Sequence, residues 1–150
     1  MSIIDPLQKE QAYYKCDKIC YNRFMKIYVA HSSDIDYKNK IYKPLKDNVL
    51  SSKHTLILPH DGDVSFQDVR DKYRDIDIVI AECSKPSTGM GIELGWFFDD
   101  DKPIFCFYKS GTRPSSALEA IAKEIIEYDD SEDFIKKLDA LISNNRGQVA

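Results

Sequence analysis

Five short runs of apolar, β-branched and aromatic residues recur along the chain: KIYVAH at 26–31, TLILP at 55–59, IDIVIA at 76–81, PIFCFY at 103–108 and EIIEY at 124–128. Each has the length of a strand and is bounded by polar or turn-forming residues. Between them the apolar spacing turns helical. Tyr37, Ile41, Tyr42 and Leu45 mark one helical face, whose C-terminal half Pro44 should weaken, and Phe66, Val69, Tyr73 and Ile76 mark a second. Ile92, Leu94, Trp96, Phe97 and Phe98 suggest a largely buried third helix, and SSALEAIAK at 115–123 is also helical in pattern. Phe134, Ile135, Leu138, Leu141 and Ile142 give a terminal amphipathic helix.

Strands alternating with helices imply βαβ crossovers, hence a parallel sheet covered on both faces. The expected fold is a doubly wound, flavodoxin- or Rossmann-like α/β domain over 26–150, with strand order 2-1-3-4-5. Its ligand crevice should open at the carboxyl ends of strands one and three, where the connections diverge. The loops there are HSSDID at 31–36 and ECSKPSTGMG at 82–91, the stretches richest in small hydroxyl residues and glycine. Residues 1–25 lack clean periodicity and read as an N-terminal arm of uncertain structure.

Composition narrows the partners. The 150 residues, 43% hydrophobic and 31% charged, fit one compact domain. With 25 acidic against 21 basic residues the net charge is -4, so no global positive field draws in a nucleic-acid polymer or an anionic membrane. No stretch reaches the roughly 20 apolar residues of a spanning helix, and the start lacks a signal-peptide pattern, so a cytoplasmic protein with a small-molecule substrate is expected. Cys83 and Cys106 lie in apolar runs and read as reduced, buried thiols. Cys16 and Cys20 form a C-x3-C pair, but only His31, His54 and His60 could complete it, at irregular spacing, so no metal and no cofactor are expected.

The second of the two loops carries the candidate chemistry. Glycines at 89 and 91 permit positive φ and close backbone approach, while Ser87 and Thr88 precede a helix start whose free N–H groups favour an anion. The same dipole would favour Glu93, placed near the first turn, as a carboxylate. An ordinary turn followed by an ordinary first-turn acid is the commoner meaning of such residues. The spacing is neither a Walker A loop nor the G-x-G-x-x-G fingerprint, since Gly89, Gly91 and Gly95 give G-x-G-x3-G.

IYVAHS, then DIVIAECSKPSTGMGIELGW, then KPIFCFY resemble the nucleoside 2-deoxyribosyltransferase superfamily, particularly its 2'-deoxynucleoside 5'-monophosphate N-hydrolase branch. The match spans roughly 26–118, with its specific core A-E-x-S-x-P-S-x-G-x-G-x-E-L-G at 81–95. The resemblance implies Glu93 as nucleophile at the sugar anomeric carbon, Ser87 and Ser32 at the 5'-phosphate, and Tyr28 lining the pocket. It implies a partner acid on the preceding helix, for which Asp68 fits best and Asp71 second. Ser116 corresponds to a serine that reaches the neighbouring subunit's phosphate site, which makes the expected unit a homodimer.

Two departures stand out: His31 replaces a glycine before Ser32, and Asp34 stands where an arginine follows it. His31 could restore a phosphate contact, and His60 also points toward the expected crevice, but a histidine at a strand end is more often a hydrogen-bonded structural residue. The first expectation is hydrolysis of the N-glycosidic bond of a nucleoside 5'-monophosphate through a glycosyl-glutamate. Base exchange between deoxynucleosides by a transferase is the alternative, and a non-catalytic nucleotide-binding sensor or a structural α/β interaction module are the rivals from other classes.

Overall fold

The computed structural model describes residues 24–62 and 73–145. Most of the expected N-terminal arm, together with Asp68, Asp71, Cys16 and Cys20, lies outside the described residues. The sheet is all parallel: β1 (Lys26–His31), β2 (Thr55–Ile57), β3 (Ile78–Glu82), β4 (Ile104–Lys109) and β5 (Glu124–Tyr128) stand in the order β2-β1-β3-β4-β5. This is the topology read from the alternation of periods. β2 stops short of the expected 55–59 because Pro59 has no N–H to extend an edge strand.

Strand side chains alternate between two cores. Ile27, Val29, Ile78, Ile80, Phe105 and Phe107 face one way. They meet α1, which opens as a π turn over Lys38–Tyr42 and continues over Lys43–Asp47, and the terminal α4 (Ser131–Asn145). A single-turn α2 (Leu50–Lys53) seats Leu50 in the same core. Tyr28, Ala30, Val79, Ala81, Ile104 and Cys106 face the other way, against α3 (Thr88–Asp99) and a 3₁₀ turn over Ser116–Ala120.

Pro44 was expected to weaken its helix; it reshapes it instead. Lacking an N–H, it leaves the Lys40 carbonyl without its intrahelical donor, and the preceding turn widens so that Lys43 N–H bonds the Lys38 carbonyl. The Ser131 hydroxyl donates to the Lys40 carbonyl at 3.0 Å, tying α1 to the start of α4. The segment 115–123 is likewise shorter than its pattern suggested, because Lys123 N–H must reach the Ile104 carbonyl to rejoin the sheet. α3 is less completely buried than expected: Leu94 and Phe97 are interior, while Ile92 and Phe98 are exposed. Among the described residues no helix is long and apolar enough to cross a membrane.

Candidate functional site

β1 and β3 are neighbours with His31 in register with Glu82, so the loops that follow them face each other at the point where strand order reverses. Ser87 caps α3, its hydroxyl accepting from the Met90 N–H at 3.5 Å. Glu93 therefore falls in the second turn, not near the first, and the dipole argument for its ionisation gives way to desolvation. It is only 4% exposed, and burial pushes its carboxyl up to about 7 from an ordinary 4.5, an effect partly offset by the Tyr28 hydroxyl. Gly89 and Gly91 adopt helical backbone, not positive φ. What Gly91 supplies is space, since a Cβ there would meet nothing within 4 Å.

Tyr28 packs beside Glu93. It is fully buried on β1, its ring 4.8 Å from Phe97 and 5.3 Å from Tyr73. Its hydroxyl makes no hydrogen bond of ordinary geometry, yet it lies close enough to Glu93 for the two to perturb each other. Burial first, and the Glu93 carboxyl second, hold the phenol far above its usual range. Tyr73 feels the same two influences. A carboxyl and a phenol thus share a buried space, with a second tyrosine at its edge.

On the other face of β1 a second polar cluster forms. The Ser32 carbonyl can only accept, so His31 Nδ1 carries the proton and donates to it at 2.9 Å. His31 Nε2 then accepts from the Tyr42 hydroxyl at 2.7 Å, and that hydroxyl in turn accepts from the His60 N–H at 3.1 Å. The His31 ring stacks on Tyr37 at 4.2 Å. Burial lowers the imidazole to about 4, partly countered by its bond to Ser32, so it is neutral at physiological pH. Both His31 nitrogens are thus committed within the chain, as in a hydrogen-bonded structural histidine. His60 is exposed, its ring 5.0 Å from His31, and it borders a cavity of about 340 Å³ with Lys38 and Lys46.

Glu82 anchors the loop that carries Ser87. Its carboxylate is 1% exposed, and Oε1 accepts from the Ser84 N–H at 3.2 Å, from the Ser84 hydroxyl, and from the Tyr128 hydroxyl at 2.9 Å. Ser84 Oγ also accepts from the Lys109 N–H at 2.7 Å. The ends of β3, β4 and β5 are thereby tied together beneath the loop. Across the crevice mouth Lys85 Nζ lies 3.5 Å from Asp34 Oδ2, and the Asp34 N–H is bonded to the buried Ser32 hydroxyl at 3.2 Å.

Not all expected site residues converge. A cavity of about 520 Å³ is lined by Ser87, Thr88, Gly91, Leu94 and Ser115, but Glu93 and Tyr28 do not line it. Two residues along a helix turn the direction by about 200°, so Gly91 and Glu93 look to opposite sides of α3. Ser116 is exposed on the 3₁₀ turn beside that cavity.

No protein-family profile matches the chain. A curated relative, a 5-hydroxymethyl-dUMP N-hydrolase from Tetraodon nigroviridis, is 38% identical over 61 residues, covering 39% of this chain and 39% of that protein. Among solved structures, the CMP N-glycosidase BcmB of Clostridium botulinum superposes with a TM-score of 0.56 at 20% identity, over 77% of this chain and 98% of that one. Over those 61 residues the chain is similar to an N-hydrolase of a deoxynucleoside monophosphate, and the superposition on BcmB shows a shared fold. The elongation factor SelB of Methanococcus maripaludis, at TM-score 0.61 and 13% identity over 85% of this chain and 36% of that one, shares only the fold. So does a signal receiver domain from Vibrio parahaemolyticus, at TM-score 0.53 and 12% identity over 83% and 94% of the two chains. The chain spans about two-fifths of the length of the curated relative it matches.

Sequence reasoning passed over Tyr42, Tyr73, Tyr128 and Lys85. Tyr128 stands 46 residues from Glu82 and carries no local signal. Lys85 did carry one, as the only lysine or arginine in the two crevice loops.

Proposed function

We propose that the chain hydrolyses the N-glycosidic bond of a nucleoside or deoxynucleoside 5'-monophosphate, with Glu93 as nucleophile. The observation that carries this reading is the buried Glu93 carboxyl against the Tyr28 hydroxyl, on the helix that Pro86-Ser87-Thr88 opens at the β1/β3 crevice. The Glu93 carboxylate attacks C1' as the C1'–N bond breaks, through an oxocarbenium-like transition state, and the departing base takes a proton. Asp68, or Asp71 in its place, supplies that proton. Water then cleaves the glycosyl ester, releasing sugar phosphate and restoring the carboxylate. A carboxyl poised near 7 is a stronger base than an exposed glutamate and exists in both protonation states at neutral pH.

In this reading Tyr28 orients the nucleophile, Ser32 and Ser87 take the phosphate oxygens, and Gly89 and Gly91 leave room beside Ser87. His31 and His60 act by shaping the β1 side of the crevice. The name of the curated relative, an N-hydrolase of a modified deoxyuridine monophosphate, supports the substrate class. The active unit is a homodimer in the cytoplasm, with the exposed Ser116 of one copy completing the phosphate site of the other.

The test follows free-base release from a panel of nucleosides and 5'-monophosphates, ribo and deoxy, beside a Glu93→Gln control. Release confined to monophosphates and lost in the control is the expected result. Base exchange between unphosphorylated deoxynucleosides would make the chain a transferase, a reading that Asp34 in the phosphate-side loop favours. Binding without turnover would make it a sensor.

A further inference from the structure

We infer that Lys85 is the cation that selects a phosphorylated substrate, and that Asp34 holds it in reserve while the crevice is empty. The inference rests on the reading of the crevice as a nucleotide site and names the side chain that makes the phosphate count.

A phosphate ester brings about 1.5 to 2 negative charges at neutral pH and needs a counter-charge where it docks. The crevice is framed by the loops at 31–36 and 82–91, and only two of their side chains can carry a positive charge, His31 and Lys85. His31 is excluded by its bonds: Nδ1 donates to the Ser32 carbonyl and Nε2 accepts from Tyr42, which fixes the neutral ring. Lys85 remains, and its ammonium already spans the mouth from the β3 loop to Asp34 on the β1 loop, 3.5 Å away.

The local backbone suits such a role. Lys85 sits between Ser84, pinned by Glu82 and the Lys109 N–H, and Pro86, whose ring fixes φ. The main chain is held while the long side chain moves freely. Both members of the ion pair are more than half exposed, at 54% and 65%, so the pair contributes little net stability and exchanges readily. A phosphate outcompetes one carboxylate for a point-charge ammonium, and the released Asp34 rehydrates in place. A neutral nucleoside offers nothing to draw Lys85 from Asp34. The pair thus converts the presence of a phosphate into a difference in affinity, which is how specificity is built from competing contacts.

The experiment compares Lys85→Gln, Asp34→Asn and, as a remote exposed control on α4, Lys136→Gln. For each, kcat/KM is measured on a deoxynucleoside 5'-monophosphate and on the matching nucleoside, and binding of the four deoxynucleoside 5'-monophosphates is followed by calorimetry. The ratio of monophosphate to nucleoside kcat/KM should fall at least tenfold in Lys85→Gln, rise severalfold in Asp34→Asn, and stay at the wild-type value in Lys136→Gln. A ratio within twofold of wild type in Lys85→Gln, with monophosphates still hydrolysed, overturns the role of Lys85 and leaves the proposed function standing. If no variant turns over any substrate, the catalytic reading fails and calorimetry decides: tenfold weaker monophosphate binding in Lys85→Gln upholds the inference, and unchanged or absent binding overturns it.

Discussion

The hydroxyl of Tyr28 and the carboxyl of Glu93 meet in the dry space between β1 and α3, where one side chain is fully buried and the other 4% exposed. Each raises the cost of charging its neighbour by excluding water, yet the phenol also stabilises the carboxylate, the one contact opposing the desolvation of Glu93. Removing it in Tyr28→Phe should therefore raise the Glu93 carboxyl further above 7. The acid limb of the kcat/KM profile should shift to higher pH, with kcat reduced at neutral pH and partly recovered at pH 8 or above. Because the hydroxyl has no hydrogen bond of ordinary geometry, thermal unfolding should show equal or greater stability, by about 1 kcal/mol. A stability loss with an unmoved profile would mean the phenol serves packing alone.

The raised carboxyl also makes stability depend on pH. With a folded value of about 7 against an ordinary 4.5, the native state binds its proton more tightly than the unfolded chain. Stability from this group is complete below 4.5 and is lost as pH rises through 7, on the order of 3 kcal/mol for so large a displacement. Glu93→Gln, which cannot ionise, should gain stability over wild type at pH 8 and little at pH 4, by urea denaturation at both. An equal shift at the two values would indicate that Glu93 is not desolvated.

Glu82 makes a third prediction. Three donors converge on its Oε1 while its buried Oε2 has no hydrogen-bond partner among the described residues, so losing a donor is costly. Tyr128→Phe should destabilise the fold by about 1–3 kcal/mol and loosen the Ser84–Ser87 loop. Hydrogen exchange should quicken at the Lys109 amide, whose partner is Ser84 Oγ. Unchanged exchange there would separate Tyr128 from the loop.

The sheet was legible because its central strands β1, β3 and β4 are largely buried on both faces and read as apolar runs, while the half-buried edge strand β5 still coincides with EIIEY through its paired isoleucines. Glu93 stood out through the resemblance that its Gly-x-Gly-x-Glu segment carries, but the first-turn placement on which the dipole argument rested is not the one α3 gives it. Local sequence placed Glu93 by a dipole, whereas β1 delivers Tyr28 and burial from 65 positions away. The partner of His31 was not legible: its bond to Tyr42 depends on where α1 returns across the sheet, and Pro44 sets that path in a way no periodicity displays.

His31 supplies the last prediction, because it opposes Glu93. Burial lowers its imidazole to about 4 from an ordinary 6.5, so the unfolded chain binds the proton that the native ring refuses. Stability from His31 is complete above 6.5 and lost as pH falls through 4, again on the order of 3 kcal/mol. Between 4.5 and 6.5 the two slopes run in opposite directions and largely cancel in wild type. Glu93→Gln removes one of them, so its stability should climb with pH across that window while wild type stays nearly flat. Tyr42→Phe tests the other side: Nε2 loses its donor, the ring becomes easier to protonate, and the acid-side loss should be smaller and level off at a higher pH than in wild type. If Glu93→Gln is as flat as wild type between 4.5 and 6.5, the His31 ring is not held neutral, and it would return as a second cation at the crevice beside Lys85.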